Sequence, residues 1–495
     1  MSPSINRTNG SNGNTNGHTN GQSSDEIPAT HFLAAFAANA EVSQLTPELR
    51  EKVKEVLLDF IGVTIGAITH ADSTTPILTA ITALQGPTVT KSSPGVCTVL
   101  GQGEPKFSKQ YAGLLNAALG HSLDFDDTYA PGTLHAGVTA IAASLAEAES
   151  LAIAGNAPSA EELMLAISVA YEVTCRLGRE LGYEAYSRGF HNSSTAGIFG
   201  SIAAIAVLRH LSTEKVEMAF GLAGSKAAGS MQYLDNGSWN KRLHPGFAVH
   251  DAFMCVALAE AGVVGASRII EGKSGFLKAY TPNENVSLQR LVGGLVEQWE
   301  FLASSLKPYP ACRMTHAFIE SSGNMHAGRA KSFSMSPDDI ESVELTMSPS
   351  NFILVGDPTP NKRHPTNVID AQFSAYFQVA HSLLYGAKTG DMSPYSRLED
   401  AAIGQLTEKI EVKTDKSMSG FSAKMSVRWA DGQTESKEQQ FPLGEVEHPF
   451  TRDKVEEKFR ALAVPVYGEE KASQIVAAVD ALEEANILDL MKLLR

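Results

Sequence analysis

The stretch LGHSLDFDDTYAPGTLHAG, residues 119–137, places three aspartates within four positions and a histidine on either side, His121 and His135. The segments before and after it, YAGLLNAALGHSL and HAGVTAIAASLAEAESLAIAG, are apolar and rich in alanine, and Val138 and Ile141 recur at helical spacing. The aspartates are therefore predicted to lie in a loop between two helices. There they could hold a metal, act as a nucleophile, or provide acid–base groups for a pocket that binds a small acid.

Composition limits the protein class. With 495 residues, 43% hydrophobic and 19% charged, the chain is predicted to be an ordinary globular protein of two domains. Its formal charge of −15 argues against nucleic acid and anionic membranes as partners, because both need a basic face. The four cysteines form no CxxC pair, which favours a reducing compartment. No membrane-length apolar run and no targeting signal is evident, so the predicted location is cytoplasmic.

A helical domain is predicted for the first part of the chain. Thr46 suits an N-cap and Pro47 a first helical position, and Leu49, Val53 and Val56 then follow at helical spacing. Further helical stretches, whose many alanines and glycines permit close packing, are predicted at residues 160–177, 195–211 and 213–228. The opening Asn/Gly/Ser/Thr tract is predicted to be a disordered tail.

The pattern changes after Lys307, where strands are predicted. ESVELTM alternates Val343, Leu345 and Met347 with polar neighbours, and KIEVKT repeats this period of two. KMSVRWADGQTESKEQQF is predicted to be a hairpin that turns at its Asp-Gly pair. TRDKVEEKFRAL then returns to helical spacing.

The predicted fold class is mainly α, an all-helical domain with a smaller inserted α+β lid domain. The predicted boundaries are residues 1–24 for the tail, 29–303 for the helical domain, completed by 447–495, and 304–446 for the lid.

The segment DFDDT has several competing interpretations. It matches the DxDxT motif of magnesium-dependent phosphatases, but that chemistry needs the motif at the end of a buried parallel strand, whereas the preceding residues have helical character. A DxDD match to terpene cyclases is equally short. Alternatively, Asp126 and Asp127 cap the next helix or pair with an arginine.

Three further segments each place a cation and a histidine beside a predicted loop-to-helix junction. The segments are YSRGFHNSSTAGIFG, whose helix start could bind an anion through free backbone N–H groups, GSWNKRLHPGFAVHDAF, with a helix expected from about Gly246, and SSLKPYPACRMTHAF. Their polar residues include His191, then Lys241, Arg242 and His244, then Lys307, Arg313 and His316. Together they predict one binding site for an anion.

These motifs, in this order, resemble the MmgE/PrpD family of 2-methylcitrate dehydratases and cis-aconitate decarboxylases. The resemblance is carried by GHSLDFDDTY with LHAG, GFHNSSTAGIFGS, NKRLHPGFAVHDA and LKPYPACRMTHAF, and it covers most of the chain beyond the tail. It implies a helical domain with a lid, a homodimer, and no organic cofactor. It also implies a tricarboxylate as the small-molecule substrate.

The resemblance assigns roles to seven residues. His135 and His191 are the expected acid–base pair, Asp124 orients a histidine, and no metal ligand is assigned. The expected substrate-binding residues are Thr128, Lys241, His244 and Lys307. In one departure from the mammalian-type decarboxylases, SPSNFILVGDP offers Asn351 or Phe352 where those enzymes carry a tyrosine, and the spacing from Thr128 to His135 also differs.

The expected activity is a lyase reaction on a tricarboxylate, first the dehydration of 2-methylcitrate or a longer alkylcitrate, and second the decarboxylation of cis-aconitate. A dehydratase must remove a proton from carbon and protonate a leaving hydroxyl, tasks that suit histidine near neutral pH. A magnesium phosphatase and a non-catalytic binding protein are the alternatives from other classes.

Overall fold

The computed structural model describes residues 27–86, 96–104, 107–282, 284–329 and 335–495. The predicted disordered tail, residues 1–24, lies outside the described residues. The described chain is mainly helical with a small mixed sheet, which confirms the predicted fold class.

The helices before residue 300 form the larger apolar core. They are α1 (Ala29–Ala38), α2 (Pro47–His70), α3 (Thr74–Gln85), α4 (Lys109–Gly120), α5 (Gly137–Ile153), α6 (Ala160–Ser187), α7 (Asn192–Thr195), α8 (Gly197–Arg209), α9 (Thr213–Ala223), α10 (Asn240–Glu260), α11 (Phe276–Tyr280) and α12 (Leu288–Val292). A two-residue pair of antiparallel strands, β1 (Val96–Cys97) and β2 (Phe107–Ser108), precedes α4.

The start of α2 follows the capping rule predicted from the sequence. The Thr46 hydroxyl accepts a hydrogen bond from the Leu49 N–H at 3.3 Å, and Pro47 occupies the first helical position, where its missing N–H costs nothing. Among the described residues no single helix has both the length and the hydropathy to cross a membrane. Only α2 and α3 meet those criteria as a pair, and this pair is bent by 98°.

The start of α10 differs from the prediction. The helix begins at Asn240 rather than near Gly246, and it includes Pro245. Lys241 and His244 are therefore side chains of the first helical turns, not of a preceding loop. Arg242 holds this end in place, because its guanidinium contacts Asp72 and donates to the Ser73 hydroxyl at 2.8 Å.

A four-stranded sheet lies in the second half of the chain, in the order β4 (Ile410–Thr414), β3 (Ile340–Met347), β5 (Ala423–Trp429) and β6 (Thr434–Gln439). β3 pairs parallel with β4 and antiparallel with β5. A parallel pair needs a crossover connection, and this crossover carries α14 (Pro349–Asn351), α15 (Pro360–Arg363), α16 (Val368–Gln372), α17 (Ala375–Tyr385) and α18 (Ala401–Thr407), with a π-helical turn at Phe352–Gly356.

The sheet has its own apolar core. Val343, Leu345 and Met347 of β3 are buried, as their alternation predicts, and they cluster with α17 and with α13 (His316–Arg329). The predicted hairpin of β5 and β6 is confirmed.

The closing helices are α19 (Arg452–Asp480) and α20 (Ile487–Leu493). α19 lies directly against α2: a Cβ atom on Gly62 would stand 3.2 Å from the Phe459 Cα, and one on Gly66 would stand 2.9 Å from the Leu462 Cδ2. Phe459 and Leu462 are buried there. The end of the chain therefore packs against its beginning, behind the 121–136 loop.

Candidate active site

A cavity of about 300 Å³ lies between the helices of the larger core and the segments around the sheet. The 121–136 loop, the turn before α7, the first turn of α10 and the segment before α13 contribute to its wall, and residues 350–351 and 420–421 face them. Six of the seven residues predicted for the site line this cavity: Asp124, Thr128, His135, His191, Lys241 and Lys307.

Asp124 is the electrostatic centre of the cavity wall. Its Oδ1 contacts the Lys241 ammonium and lies 3.1 Å from the Lys307 Nζ. Burial by itself would raise the pKa of the Asp124 carboxyl, but the charges of the two lysines hold the pKa below its ordinary value. Burial lowers the pKa of Lys307. Burial also opposes the charge on Lys241, but the charge and hydrogen bond of Asp124, with the nearby Tyr186 and Asp126, together outweigh it and raise the pKa of Lys241. The three groups form a buried cluster with one excess positive charge.

Backbone contacts hold this cluster in place. Asp124 has a φ of 50°, a left-handed conformation that aspartate tolerates better than most residues. Lys307 donates to the Asp124 carbonyl oxygen at 2.7 Å. Thr128 and Ser305 exchange two backbone hydrogen bonds, of 2.8 and 2.7 Å, which fix the Thr128 hydroxyl near Lys307. That hydroxyl is buried without a hydrogen-bond partner in the described structure.

Asp126, rather than Asp124, is the carboxylate that faces the histidines. Its Oδ2 lies 2.8 Å from the His121 Nδ1 and 3.1 Å from the His135 Nδ1. Asp124 is farther away, with 3.8 Å between its Oδ1 and the His135 Nε2. The His121 Nδ1 shares a hydrogen bond with Asp126, whereas the His135 Nδ1 lies at ion-pair distance from Asp126 without a hydrogen bond. Asp126 is thus nearer to both rings than Asp124, and the orienting role expected of Asp124 stays a prediction.

His244 does not line the cavity, contrary to its predicted role in substrate binding. The helical start of α10 places it behind His191, with 3.2 Å between the two Nδ1 atoms. The segment after His191 also differs from the prediction of an anion-binding helix start. α7 has only four residues. Its Ser193 hydroxyl accepts from the His135 N–H at 2.9 Å, and its Ser194 hydroxyl donates to the His244 carbonyl oxygen at 3.0 Å.

Burial favours the neutral form of His135, His191 and His244 by lowering the pKa of each. Burial, together with nearby cationic groups, lowers the pKa of His135 and of His244 to about 4. The same causes hold the pKa of His191 well below its ordinary value. A neutral imidazole can accept a proton or, once charged by a bound anion, donate one.

Asp127 takes the structural role that the sequence left open for it. Its carboxyl oxygens accept from the Gly137 N–H at 3.1 and 3.4 Å, at the start of α5. Burial, followed by the charges of Asp126 and Asp59, raises the pKa of Asp127 to about 8. Asp127 is thus a largely neutral cap on α5, not a reacting group.

His121, Asp126 and His135 offer one ligand atom each within 4.8 Å of one another, a spacing that a metal ion could use. The ammonium groups of Lys241 and Lys307 act on the same groups and oppose the approach of a cation. The phosphatase interpretation fails on geometry, because the aspartates follow helix α4 and not a strand, and Asp124 is already matched by two lysines.

Three further features of the cavity and its surroundings had no individual role assigned from the sequence. His121 and Asp126 carry no assigned role in the sequence motifs, although His121 flanks the aspartates just as His135 does. Arg313 also lines the cavity, and its guanidinium pairs with Glu445 at 2.5 Å. The apolar wall is formed by Leu134, Tyr183, Tyr186, Met314, Phe373 and Phe421. Of the two residues offered in place of a tyrosine, Asn351 lines the cavity and Phe352 does not.

Comparison with protein families gives two adjoining matches. Residues 31–289 match the MmgE/PrpD N-terminal domain, and residues 309–484 match the MmgE/PrpD C-terminal domain. The first match alone covers more than half of the chain, and the cavity lies where residues of the two matched segments meet.

Several curated relatives align with the chain over most of their length. The chain is 24% identical to a cis-aconitate decarboxylase-like protein, oryM, of Aspergillus oryzae, over 95% of this chain and 98% of that protein. It is 26% identical to a cis-aconitate decarboxylase of Aspergillus terreus, over 82% of this chain and 85% of the relative. It is 25% identical to the cis-aconitate decarboxylase of Homo sapiens, over 92% of both chains.

Proposed function

The chain belongs to the MmgE/PrpD family, and from this premise we propose that it is a lyase that removes CO₂ from a tricarboxylate of the cis-aconitate type. One observation carries the proposal. Lys241 and Lys307, from distant parts of the chain, place their ammonium groups on one buried carboxylate at the wall of a cavity that also holds His135 and His191. The names of the relatives favour decarboxylation within this class.

The charged end of the cavity suits the carboxylates of such a substrate. Burying an unpaired carboxylate costs several kcal/mol, so each one needs a cation or a hydrogen-bond donor. Lys241 and Lys307 supply cations, and the unpartnered Thr128 hydroxyl supplies a donor. Asp124 holds both ammonium groups at fixed positions before the substrate arrives, which lowers the cost of ordering them.

The chemistry needs a group that delivers a proton to carbon. When the C–C bond to the departing carboxylate breaks, its electron pair remains on the substrate as an allylic carbanion. A proton must then be added at one of the two carbons that share the negative charge of this carbanion. His135 and His191 are the proposed acid–base pair; both line the cavity, and the His135 Nδ1 lies 3.1 Å from the Asp126 carboxylate.

Dehydration of 2-methylcitrate or a longer alkylcitrate is the second candidate, and the sequence motifs alone favour it. One observation supports it: the cavity wall includes Leu134, Tyr183, Tyr186 and Met314, an apolar surface that an alkyl substituent would cover. The same histidines would remove a proton from carbon and protonate the departing hydroxyl.

The purified protein should be incubated with cis-aconitate and, separately, with 2-methylcitrate and longer alkylcitrates. CO₂ release and the new alkene are measured, with EDTA present and absent. We expect CO₂ from cis-aconitate and no effect of EDTA. Alkene formation from an alkylcitrate without CO₂ would instead support dehydration, and loss of activity with EDTA would contradict a reaction carried by these side chains alone.

Lysine variants test the site itself. Lys241→Ala and Lys307→Ala should each lower kcat/KM tenfold or more, because removing a charge partner costs about 2 kcal/mol or more. Lys226→Ala is the matched control, since Lys226 pairs with Asp251 at the surface, and it should leave the kinetics unchanged. Tight binding of a tricarboxylate without turnover of any substrate would favour the non-catalytic alternative.

A further inference from the structure

Four buried histidines form a continuous array beside the cavity. The His135 ring meets the His121 ring edge-on at 4.7 Å between centroids, and His121 stacks on His191 at 5.4 Å. The His191 ring lies 5.3 Å from the ring of His244. All four side chains are buried, so a proton on any one of them is felt by the others.

The charged side chains of the cavity wall are balanced by buried carboxylates in and directly behind it before any ligand enters. Lys241 and Lys307 face Asp124 in the wall, Arg313 faces Glu445, and Asp126 is a further buried carboxylate that lies against His121 and His135. Three cationic side chains are thus matched by three carboxylates. A polycarboxylate that enters this cavity adds several negative charges and finds no net positive charge to offset them.

Resting on the proposed function, we propose that binding of a polycarboxylate is coupled to the uptake of one proton from solvent by the histidine array, and that His121 and Asp126 are positioning residues that hold this proton beside His135. The proton supplies the positive charge that the wall lacks. It also stands next to the imidazole that the proposed reaction requires.

The geometry around Asp126 provides the place for this proton. One carboxylate oxygen, Oδ2, faces the Nδ1 atoms of both His121 and His135. The other oxygen, Oδ1, is buried without a hydrogen-bond partner in the described structure, and so are the His121 Nε2 and the His135 Nδ1. An imidazolium at either ring would be paired with Asp126, whereas a protonated His191 or His244 would face no carboxylate at such a distance.

Neighbouring groups explain why the proton is absent from the empty site. The charged groups that act directly on the array include Lys241, Lys307, Asp124 and Asp126. Tyr233 lies against His244, and Asp59, Asp127 and Lys458 act on Asp126 from the other side. Burial and the cationic groups lower the pKa of His135 and keep its imidazole neutral. A ligand carboxylate beside the array reverses this balance, because an opposite charge within a few ångströms raises the pKa of an imidazole.

The coupling fits the stoichiometry of the proposed reaction. Loss of CO₂ from a carboxylate leaves a carbanion that must be protonated, so each turnover consumes one proton. A proton taken up with the substrate is already present when the C–C bond breaks, and the next substrate brings the next proton from solvent.

Calorimetry with tricarballylate, a saturated tricarboxylate that has no double bond to react through, measures the coupling. Titrations near pH 7.5 in phosphate, HEPES and Tris buffers, which differ in ionisation enthalpy, give the number of protons taken up. We expect about one proton for the wild type, and a Kd that falls by up to about tenfold for each unit of decreasing pH. A binding enthalpy that is independent of the buffer would overturn the proposal without any variant.

Asp126→Asn and His121→Gln test the positioning role. We expect both variants to lose most of the proton uptake and the pH dependence of Kd. His381→Gln is the matched control, because His381 is equally buried and burial also lowers its pKa to about 4, but it lies on α17 outside the cavity. It should retain the wild-type uptake. Full uptake in both site variants would place the proton on the ligand or on a lysine and would overturn the proposal.

The proton-uptake measurement and the turnover assay can fail independently, so failure of this inference can be told apart from failure of the proposed function. CO₂ release by the wild type without proton uptake on tricarballylate binding would end the inference and leave the function standing. Absence of both turnover and binding would end the proposed function first.

Discussion

Asp127 is a carboxyl group that the fold keeps largely neutral at physiological pH. It is buried between the Gly137 N–H and the Tyr171 side chain. Burial and the charges of Asp126 and Asp59 raise its pKa from the ordinary 3.8 to about 8. The folded protein therefore holds a proton that the unfolded chain releases above pH 3.8, so this group's contribution to stability falls as the pH rises from about 4 towards 8.

Asp127→Asn should remove that loss, because an amide has the shape of the neutral carboxyl and can still accept from Gly137. We expect the free energy of unfolding to increase by about 2 kcal/mol or more at neutral pH, and the gain to vanish near pH 4. Chemical denaturation across this pH range is the measurement. Asp124→Asn is the contrast: the pKa of Asp124 is held low by two lysines, so this variant should destabilise the protein at neutral pH. A gain for Asp127→Asn that does not depend on pH would contradict the account.

His135 is the residue whose loss should separate chemistry from stability. His135→Gln should lower kcat by about 10² to 10⁴, the usual contribution of a general acid or base, with a thermal midpoint close to that of the wild type. Steady-state assays and thermal denaturation of the same preparations test this. A large fall in the midpoint with turnover retained would identify a structural histidine instead.

Sequence motifs predicted which residues meet at the cavity better than they predicted what each residue contacts. Asp124 and Lys241 stand 117 positions apart. Both belong to polar segments within apolar surroundings, and this contrast identifies them as candidate site residues. Asp124 contacts the lysines and Asp126 faces the histidines. This difference depends on the left-handed φ of Asp124, which directs the two carboxylates towards different sides. Spacing along the chain does not report such a turn.

At the scale of elements, close helix crossings depend on glycine. A Cβ atom on Gly200 of α8 would stand 2.5 Å from the Ala170 carbonyl oxygen of α6 and would overlap the Thr174 hydroxyl. Gly200→Ala should therefore force these helices apart and lower the free energy of unfolding by about 2 to 3 kcal/mol.

Gly328→Ala is the matched control, because Gly328 also lies in a helix, α13, and among the described residues no atom beyond its own stretch of helix would lie within 4 Å of its added Cβ. It should be neutral or stabilising by up to about 1 kcal/mol, since alanine has the higher helix propensity. Urea denaturation of the two variants tests the pair. Equal effects would show that the α6–α8 crossing tolerates the extra methyl group.

Local sequence signals predicted some helices and strands correctly and failed for others. The cap at Thr46 and the alternation in β3 are local, and both predictions are confirmed. The start of α10 is not local: Pro245 argues for a later start, but contacts of Arg242 with Asp72 and Ser73 stabilise an earlier one. The parallel pairing of β3 with β4 likewise depends on a long crossover whose path no strand pattern reports.

At the scale of the whole molecule, overall charge and local chemistry oppose each other. The chain carries 55 acidic and 40 basic side chains, so its distant field repels a tricarboxylate. At the cavity, Lys241 and Lys307 share Asp124, Arg313 is paired with Glu445, and the buried Asp126 balances the remaining charge, so little positive field extends into solvent. The site therefore stabilises an anion by contact and does not attract it from afar.

This opposition predicts an unusual dependence on salt. Raising NaCl from about 10 to about 150 mM shortens the Debye length from roughly 30 to 8 Å and screens the repulsion between protein and substrate. We expect kcat/KM for the tricarboxylate to rise over this range while kcat stays constant, since contacts inside the closed cavity are screened far less. Initial rates at substrate concentrations below KM measure it, with potassium chloride as a second salt to identify specific ion effects. A kcat/KM that falls from the first addition of salt would mean that a positive field around the cavity mouth steers the substrate, and that the lysines act beyond their contacts with Asp124.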